Sequence, residues 1–577
     1  MAQFVKLNPE ALQPLREVDA RLVSYDVEMA EVTGGTFWKA YTPAQIAGEE
    51  EFVLKKGPAG LMLDKNALMQ YYDPIDLRDK KLRKLAKEIG PAWVRVSGTW
   101  ATKTYYDFDG HTGGQAPEGY DAILTREQWL GVLDFCKEIG AKLLISVADC
   151  DGLHHADEPW NPSQAEQIFA LSEEYGKPID AAEFVNEPHM LELSGCPKGY
   201  TSELFAKNHD IFARWLRENH PDCLLVGTSA SDGMPVGDPT YKSDKPAFNF
   251  LPTVPLDSLM QPMQEKLDVF SYHYYNGVSE RLKTVMPSNY WQPDRALSED
   301  YLAVAGNLAR LHAEKRDTYC PGAQMWVTES GDAGGGGTTW ASTYQDVFRT
   351  LNELGSFAAV TDGIIFHNTL ASSDYGYLSH TVFDPRPNYF AALLWNRIMG
   401  RTVYDTAEPI REGAHVFAHS RADGKPGAAY LVINNSKTDT TTVSLPKDAE
   451  VYQLSAEALR AGTMLCNGKP LVLGEDNSLP EITPVTAPRR GADPACCHLH
   501  LYCTVNKTAT SRLPQVHLCK QVRLTRRRDV FTFLCSYTLP FLSSVCSRFS
   551  SADCLARIAF TLSYRSSIII SVFKLTL

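Results

Sequence analysis

The chain has 577 residues, of which 44% are hydrophobic and 22% are charged, and its formal net charge at pH 7 is −13. This length exceeds what a single hydrophobic core usually fills, so the sequence predicts two or more domains. The hydrophobic and charged fractions are those of ordinary globular proteins. The negative charge disfavours nucleic acid, an anionic membrane surface and a dense polysulfate as partners.

The two ends of the chain differ in composition. Residues 1–19 lack the apolar stretch of a signal peptide, which predicts a cytoplasmic protein for the chain as it stands; compartment and oligomeric state stay open. Residues 489–577 hold seven of the thirteen cysteines and thirteen Lys or Arg against three Asp, so the rest of the chain carries about −23. This break predicts an anomalous tail without a stable fold, from a shifted reading frame, a read-through or a wrong gene model. The alternative is a membrane anchor at 530–546, but that apolar stretch is short and contains proline.

Short apolar runs alternate with helical segments between residues 25 and 402. The runs predict eight strands, at Val27–Thr33, Ala92–Val96, Lys142–Val147, Ala181–Val185, Cys223–Gly227, Val269–His273, Gln324–Thr328 and Gly363–Asn368. The other segments predict helices, at Leu77–Ile89, Arg126–Ile139, Pro162–Tyr175, Ser202–Glu218, Leu297–Ala313, Trp340–Leu354 and Asn388–Met399. Eight such repeats predict an α/β fold, a (β/α)8 TIM barrel that forms the catalytic domain. The alternative is a doubly wound open sheet, but no GxGxxG follows the first strand, which argues against nucleotide binding.

A different pattern extends from residue 403 to residue 488. Short strands joined by turns rich in Gly, Asp, Lys and Ser are predicted at Ala414–His419, Ala428–Asn434, Thr440–Leu445, Glu450–Leu454 and Leu471–Leu473. They predict an antiparallel β-sandwich domain, to which residues 1–24 are expected to add a strand. The six cysteines before residue 489 lack ligand spacing, which predicts buried thiols and no metal site.

Polar residues follow several of the predicted barrel strands, where the catalytic groups of a TIM barrel lie. Asn186 and Glu187 follow the fourth strand, and Glu329 follows the seventh. Two glutamates facing each other across the barrel mouth suit double-displacement glycoside hydrolysis, in which one protonates the leaving oxygen and the other attacks the anomeric carbon. Asn186 can hydrogen-bond the sugar 2-hydroxyl. Tyr274, after the sixth strand, can donate to Glu329 and keep it ionised and oriented.

Each of these residues also has a purely structural explanation. The Asn-Glu-Pro sequence at 186–188 is typical of a turn, Glu329 could be a solvated loop carboxylate, and Tyr274 could be a core aromatic residue. Four consecutive glycines at 334–337 either form a flexible surface loop or let backbone N–H groups approach a ligand closely. The joint placement of these residues at the strand ends of one barrel favours the catalytic interpretation.

Three motifs in this order resemble glycoside hydrolase family 79, the β-glucuronidases and heparanases of clan A: Asn-Glu-Pro at 186–188, His-Tyr-Tyr-Asn-Gly at 273–277, and Glu329 before a glycine-rich loop. The resemblance covers about residues 25–488. It implies a retaining β-glucuronidase with Glu187 as acid/base and Glu329 as nucleophile, and with no organic cofactor or metal.

The resemblance also implies how the sugar is held. Gly335 and Gly336 would bind the uronic carboxylate through their backbone N–H groups, and Tyr375 would add a hydroxyl donor, with Tyr377 as a second candidate. Thr99 would touch the same sugar. The expected partner is a glucuronic-acid-containing carbohydrate, with no role for nucleic acid or a membrane.

Two departures from the heparanases predict removal of a terminal glucuronic acid in place of endo-cleavage. The interval Trp100–Thr125 is short where heparanases carry an excised linker, which predicts an unprocessed chain, and the acidic body lacks the basic clusters that hold a sulfated polymer. The anomalous tail begins where the final sandwich strand is expected, which predicts an unpaired sheet edge. The alternatives are another clan A glycosidase such as a β-xylosidase, and a non-catalytic glycan-binding protein, which would lack one of the two glutamates.

Overall fold

The computed structural model describes residues 3–54, 65–231, 237–242, 253–444, 446, 448–487 and 569–575. Eight parallel strands close into a barrel in chain order, the last pairing with the first: β1 (Val23–Glu28), β2 (Trp93–Ser97), β3 (Lys142–Ser146), β4 (Ala181–Glu183), β5 (Leu224–Ala230), β6 (Val269–Val278), β7 (Gln324–Gly334) and β8 (Ile365–His367). The predicted (β/α)8 barrel is confirmed, and the open-sheet alternative is wrong because the sheet has no free edge.

Helices lie between and after these strands, at Met29–Thr33, Pro43–Ala47, Lys65–Leu68, Lys80–Ile89, Arg126–Ile139, Ser163–Glu174, Ser202–Asn219, Leu256–Met260, Glu299–Tyr319, Tyr344–Val360 and Pro387–Ile398. Local sequence sets their ends. At the helix Arg126–Ile139, the Thr125 hydroxyl accepts a hydrogen bond from the N–H of Gln128, and Gly140 ends the helix in the left-handed conformation.

The interior of the barrel is filled by two successive layers of side chains. The first, here called the apolar layer, takes residues from β2 to β8: Trp93, Leu144, Ala181, Val226, Val269, Trp326, Ile364 and Phe366. Residues two apart on a strand point to the same face. Two positions further along β2, β3 and β4 the buried side chains become polar, at Arg95, Ser146 and Glu183. The apolar layer therefore closes the barrel beneath a buried polar layer.

The first barrel strand begins earlier than predicted. The structure places it at Val23–Glu28, and Met29–Thr33 is a short helix, so the predicted strand Val27–Thr33 is wrong. All six residues of β1 are buried, including Asp26 and Glu28. Two carboxylates in a fully buried strand break the apolar pattern on which the prediction depended.

A second sheet, largely antiparallel, contains nine strands. In spatial order these are Gln13–Glu17, Met399–Asp405, His415–Arg421, Ala428–Asn434, Ile569–Leu575, Ala449–Ser455, Leu465–Cys466 and Lys469–Pro470, with Val485–Ala487 also paired to Ala449–Ser455. Three two-stranded sheets pair Gln3–Lys6 with Thr441–Ser444, Gly35–Trp38 with Met69–Tyr72, and Thr104–Asp107 with Ala122–Thr125. The strand predicted at Leu471–Leu473 is wrong, since the pairing there involves Lys469–Pro470.

Residues 569–575 form a strand where the sequence predicts an unpaired edge of this sheet. They pair antiparallel with Ala428–Asn434 on one side and with Ala449–Ser455 on the other. The expectation of an unpaired edge at this position is therefore wrong, because a segment of the tail fills it. The rest of the tail, including the apolar stretch 530–546, lies outside the described residues. Within the described ranges, no helix combines the length and apolarity needed to cross a bilayer.

Candidate active site

Two glutamates lie together at the carboxyl end of the barrel. Glu187 follows β4 by four residues and adopts φ +50, in the left-handed region, while Glu329 lies within β7. One carboxylate oxygen of each glutamate and a ring nitrogen of His273 all lie within 4.8 Å of one another. Retaining glycosidases hold their two carboxyl groups about 5–5.5 Å apart, whereas inverting enzymes need a wider gap for a water molecule. The observed separation fits double displacement.

Arg95 is a fully buried guanidinium beneath Glu329. Its Nη1 donates to Glu329 Oε1 at 3.1 Å and lies 3.6 Å from Asp26 Oδ1. Its Nη2 donates to Glu183 Oε1 at 2.6 Å. Burial alone would raise the pKa of Glu183, but Arg95 and serine hydroxyls outweigh it and lower that pKa. Glu183 is thus a structural anion that holds Arg95 in place below Glu329.

His273, within β6, lies between the two glutamates. Its Nδ1 is 3.1 Å from Glu187 Oε1 and 3.5 Å from Glu329 Oε2. Its Nε2 is 3.4 Å from Nη2 of Arg95. Carboxylate oxygens accept hydrogen bonds, so the ring carries a proton on Nδ1, where it faces both glutamates. His273 therefore donates to Glu187 through Nδ1.

The pKa of Glu187 is set by opposing effects. Burial would raise it, but the hydrogen bond and charge of His273, with smaller contributions from His189 and Arg95, outweigh burial and lower the pKa to about 2. A general acid works best with a pKa near the working pH. His273 thus holds the pKa of Glu187 below that range, and further burial of the carboxyl beneath a bound sugar would raise it.

The tyrosine that contacts Glu329 is Tyr275. Its hydroxyl donates to Glu329 Oε2 at 2.7 Å. Tyr274 is buried on the opposite face of β6, where its hydroxyl donates to Asn276 Oδ1 and its ring packs edge-to-face on Phe357 at 5.1 Å. The prediction that Tyr274 donates to Glu329 is wrong, because neighbouring residues of a strand point to opposite faces.

Asn186 and Thr99 both line the cavity above the glutamates. The Oδ1 of Asn186 accepts from Nη2 of Arg95 at 2.6 Å. With that oxygen engaged, Nδ2 of Asn186 is the group available to donate to a sugar hydroxyl. Both residues are therefore placed where the sequence predicts contact with a sugar.

The glycine-rich loop after Glu329 presents free backbone donors. Gly335 and Gly336 adopt φ +89 and +85, and a Cβ at Gly336 would lie 2.6 Å from Cβ of Trp38. The N–H of Gly337 donates to the Ala333 carbonyl at 3.1 Å, but the N–H groups of Gly335 and Gly336 donate to no described residue. Two such neighbouring N–H groups form a nest of the kind that binds anions. Gly335 lines the cavity, with Gly336 buried beside it.

Tyr375 also lines this cavity. Its hydroxyl accepts from Nδ2 of Asn368 at 3.3 Å, and the same amide donates to the hydroxyl of Tyr275 at 2.8 Å. Tyr377, the second candidate, stacks on the ring of His367 with centroids 3.9 Å apart and does not line the cavity. Of the two tyrosines, only Tyr375 is placed to donate to a bound sugar.

Carboxylates of β1 and the helix after it add a feature that the sequence did not predict. Glu28 lines the cavity, and its Oε2 has no hydrogen-bond partner among the described residues. A Cβ at Gly98 would lie 1.6 Å from that oxygen, so only glycine fits there. Burial and the charge of Glu329 raise the pKa of Glu28 well above its usual range, and burial raises the pKa of Glu31 to about 8.

The cavity has a volume of about 690 Å³, within the range of small-molecule sites. Much of its wall is apolar and aromatic, formed by Phe37, Trp38, Trp100, Met190, Val254, Val278, Leu282, Val285 and Met286. Phe37 and Trp100 pack edge-to-face with centroids 4.9 Å apart. None of the described residues that line the cavity is Lys or Arg.

Glu187, His273 and Glu329 are also donors that a divalent cation could use. Two features oppose a cation at this point. The guanidinium of Arg95 contacts Glu329, and the Nδ1 proton of His273 faces both carboxylates. The arrangement suits proton transfer and nucleophilic attack better than metal binding.

Sequence reasoning placed His273 and Tyr275 in a strand-end motif without a role, and it did not identify Arg95 or Glu28 as site residues. Arg95 could have been found from the sequence, because it is a single Arg within the apolar run Trp93–Ser97 and has no counter-ion in its own strand. Buried arginines are almost always paired, so such a residue predicts acidic partners from neighbouring strands.

Comparison with known proteins gives a consistent class. No protein-family model matches the chain. It is 24% identical over 412 residues to heparanase-like protein 1 of Arabidopsis thaliana, covering 68% of this chain and 70% of that protein. It is 28% identical over 460 residues to baicalin-β-D-glucuronidase of Scutellaria baicalensis, covering 71% of this chain and 80% of that protein. The crystal structure of a 4-O-α-L-rhamnosyl-β-D-glucuronidase from Fusarium oxysporum matches with a TM-score of 0.54 at 10% identity, covering 84% of this chain and 96% of that one.

The barrel, the paired glutamates and these relatives define a glycoside hydrolase of clan A. The resemblance to glycoside hydrolase family 79, first indicated by the motifs around Glu187 and Glu329, is confirmed: the relatives at low identity carry heparanase-like and β-glucuronidase names. A carbohydrate is therefore the substrate class.

Proposed function

We propose that the protein is a retaining β-glucuronidase that releases terminal β-linked glucuronic acid from glycosides. One arrangement carries the proposal: two glutamates within 4.8 Å of each other, and two free N–H groups on the loop that follows one of them. A carboxylate pair supplies the chemistry of glycoside cleavage, and the N–H groups supply a site for the charge that distinguishes glucuronic acid from neutral sugars. The names of the relatives in Scutellaria and Fusarium support this substrate.

In the first step, a carboxylate oxygen of Glu329 attacks the anomeric carbon. The bond from that carbon to the leaving oxygen breaks, and the carboxyl proton of Glu187 passes to that oxygen. Glu187 becomes an anion, and the Nδ1–H of His273 donates to it at 3.1 Å. Arg95 and Tyr275 hold the two oxygens of Glu329 in line for attack.

In the second step, Glu187 takes a proton from a water molecule whose oxygen attacks the same carbon. The bond between the sugar and Glu329 breaks, and glucuronic acid leaves with retained configuration. Asn186 donates to the 2-hydroxyl in both steps, a contact that strengthens at the transition state.

The loop supports the proposed preference for a uronic acid. The carboxylate at C5 would accept hydrogen bonds from the N–H groups of Gly335 and Gly336 and from the hydroxyl of Tyr375. A glucoside or xyloside lacks this acceptor and would leave buried donors unpaired, which costs binding energy. The apolar wall and the absence of Lys and Arg among the described lining residues favour a terminal sugar on an uncharged aglycone over a sulfated chain.

The test compares hydrolysis of an aryl β-glucuronide, an aryl β-glucoside and an aryl β-xyloside. We expect a preference for the glucuronide, loss of activity in Glu329→Gln, and unchanged activity in the control Glu192→Gln, whose exposed carboxylate lies five residues beyond Glu187. Preference for the xyloside, or full activity in Glu329→Gln, would refute the proposal.

The acid/base role has its own test. In Glu187→Ala, azide can replace water as the nucleophile without general-base help. We expect azide to restore turnover of an aryl glucuronide with a good leaving group and to yield a β-configured glucuronyl azide. An α-configured azide would contradict double displacement.

A further inference from the structure

Arg281 is a buried arginine that lies outside the catalytic pair. It follows the end of β6 by three residues, and its side chain is 1% exposed. It does not line the cavity, and it contacts neither Glu187 nor Glu329. Its guanidinium contacts the glycine-rich loop, of which Gly334 and Gly335 line the cavity.

The guanidinium binds the loop through backbone carbonyls. Nη1 donates to the carbonyl oxygens of Gly335 and Gly337, at 3.1 and 3.0 Å. Nη2 donates to Asp374 Oδ2 and to the carbonyl of Lys39, both at 2.6 Å. The ring of Tyr41 covers the guanidinium at 3.8 Å from its centroid. All of the polar contacts join Arg281 to main chain or to one carboxylate.

Other donors occupy the remaining carbonyls of the loop. The N–H of Ser279 donates to the Gly334 carbonyl at 2.9 Å, and the Ser279 hydroxyl joins Arg281 on the Gly335 carbonyl at 2.9 Å. The N–H of Asp374 donates to the Gly336 carbonyl at 3.2 Å. Every carbonyl of the four glycines is therefore engaged by the protein.

Because a peptide unit is planar, a hydrogen bond that fixes its carbonyl also fixes the direction of its N–H group. Within one trans peptide unit, the C=O of one residue and the N–H of the next point in opposite directions. Ser279 holds the Gly334 carbonyl and so directs the Gly335 N–H away from it. Arg281 holds the Gly335 carbonyl and so directs the Gly336 N–H away from the guanidinium. These are the two N–H groups that donate a hydrogen bond to no described residue.

We propose that Arg281 is the positioning residue of the uronic-acid site: it fixes the peptide units of Gly335 and Gly336 so that their N–H groups face the substrate carboxylate. The inference rests on the proposed function. Lysine cannot replace arginine here, because one ammonium cannot span two carbonyls and a carboxylate in a planar fork.

The test measures KM and kcat for an aryl β-glucuronide in Arg281→Gln and Arg281→Lys. KM does not depend on the fraction of enzyme that is folded, so it separates positioning from a loss of stability. We expect KM to rise about tenfold or more in Arg281→Gln, the size expected when a charge-assisted contact is lost, and kcat to change less. Arg281→Lys should restore only part of the affinity.

Arg349→Gln is the matched control. Arg349 is equally buried and is bound by Asp346 and Glu353 on its own helix, away from the cavity. This variant should lose stability and keep the KM of the wild type. Ser279→Ala, which removes one hydroxyl from the Gly335 carbonyl, is a milder variant and should raise KM about two- to threefold.

The outcomes separate this inference from the proposed function. A wild-type enzyme with no preference for the glucuronide would refute the uronic-acid site itself. A wild type that prefers the glucuronide, together with unchanged KM in Arg281→Gln and Ser279→Ala, would refute the role of Arg281. The same rise in KM for Arg349→Gln as for Arg281→Gln would also overturn it.

Discussion

Two buried arginines lie next to different parts of the proposed sugar site and have different partners. Arg95 is surrounded by the carboxylates of Asp26, Glu183 and Glu329, and one of these is the proposed nucleophile. Arg281 meets a single carboxylate and otherwise binds main-chain carbonyls. In the proposed mechanism, Arg95 acts on side chains whose charge takes part in the reaction. Arg281 sets the direction of backbone N–H groups that bind the substrate without reacting. Changes near Arg95 should lower kcat, and changes near Arg281 should raise KM.

The largest effect is expected at Arg95. Arg95→Met removes the counter-ion of three buried carboxylates and the hydrogen bonds to Glu183 and Glu329. Leaving buried charges unpaired costs about 3–5 kcal/mol, so chemical denaturation should show a loss of that size in the free energy of unfolding. In the folded fraction, kcat should fall about 10³-fold, and KM should change little. A stable, fully active Arg95→Met would show that the cation does not support Glu329.

Tyr275→Phe is expected to have the next largest effect. It removes the 2.7 Å hydrogen bond to Glu329 and leaves the ring in place. We expect kcat to fall about 10²-fold, the size seen when one oriented donor is lost from an active site. Tyr274→Phe is the matched control, because its hydroxyl contacts Asn276 on the other face of β6. If Tyr274→Phe loses more activity than Tyr275→Phe, the assignment of the two tyrosines is wrong.

The pH dependence of stability tests the buried carboxyl of Glu31, on the helix that follows β1. Burial raises the pKa of Glu31 to about 8, against an ordinary value of 4.5. Between these values the folded chain keeps a proton that the unfolded chain releases, so the free energy of unfolding falls as pH rises. Glu31→Gln should make this fall smaller by about 2 kcal/mol between pH 5 and pH 7, measured by urea unfolding at both pH values. Identical pH slopes in the variant and the wild type would contradict a raised pKa at Glu31.

The smallest effect is expected at Tyr375, which is proposed to bind the uronic carboxylate together with the glycine-rich loop. Tyr375→Phe removes one hydroxyl from the cavity and should raise KM for an aryl glucuronide about threefold to tenfold. Tyr377→Phe, whose ring stacks on His367 away from the cavity, should leave KM unchanged. A larger effect on kcat than on KM in Tyr375→Phe would contradict the expectation that changes near Arg281 act on KM.

Regular elements with strong periodicity could be predicted closely from sequence. The helix Arg126–Ile139 and the strand Ala428–Asn434 have the predicted bounds, since clear apolar patterns and end signals define both. The paired glutamates could be predicted because strand order places both at the barrel mouth. The direction of Tyr274 and Tyr275 could not, because a shift of one residue reverses the face to which a strand residue points.

Features that depend on distant partners also escaped sequence reasoning. The carboxylates of β1 are buried near Arg95 of the next strand. The residue pattern of either strand alone does not reveal its partner in the other. The pairing of Ile569–Leu575 with Ala428–Asn434 joins segments far apart in the chain, within a region whose composition resembles no ordinary domain. Contacts of this range are fixed by the whole fold, not by local preference.

The apolar layer beneath the polar layer determines how substrate, water and product can enter and leave the site. The described side chains of Trp93, Trp326 and their neighbours fill the barrel floor. Substrate, water and product would therefore share the mouth at the carboxyl end of the barrel, and in the proposed mechanism the aglycone must leave before water can reach the sugar bound to Glu329. Under the proposed function, released glucuronic acid keeps the carboxylate that binds to the loop, so it should compete with fresh substrate for the same site. Turnover would then slow as the reaction proceeds, long before the glycoside is exhausted.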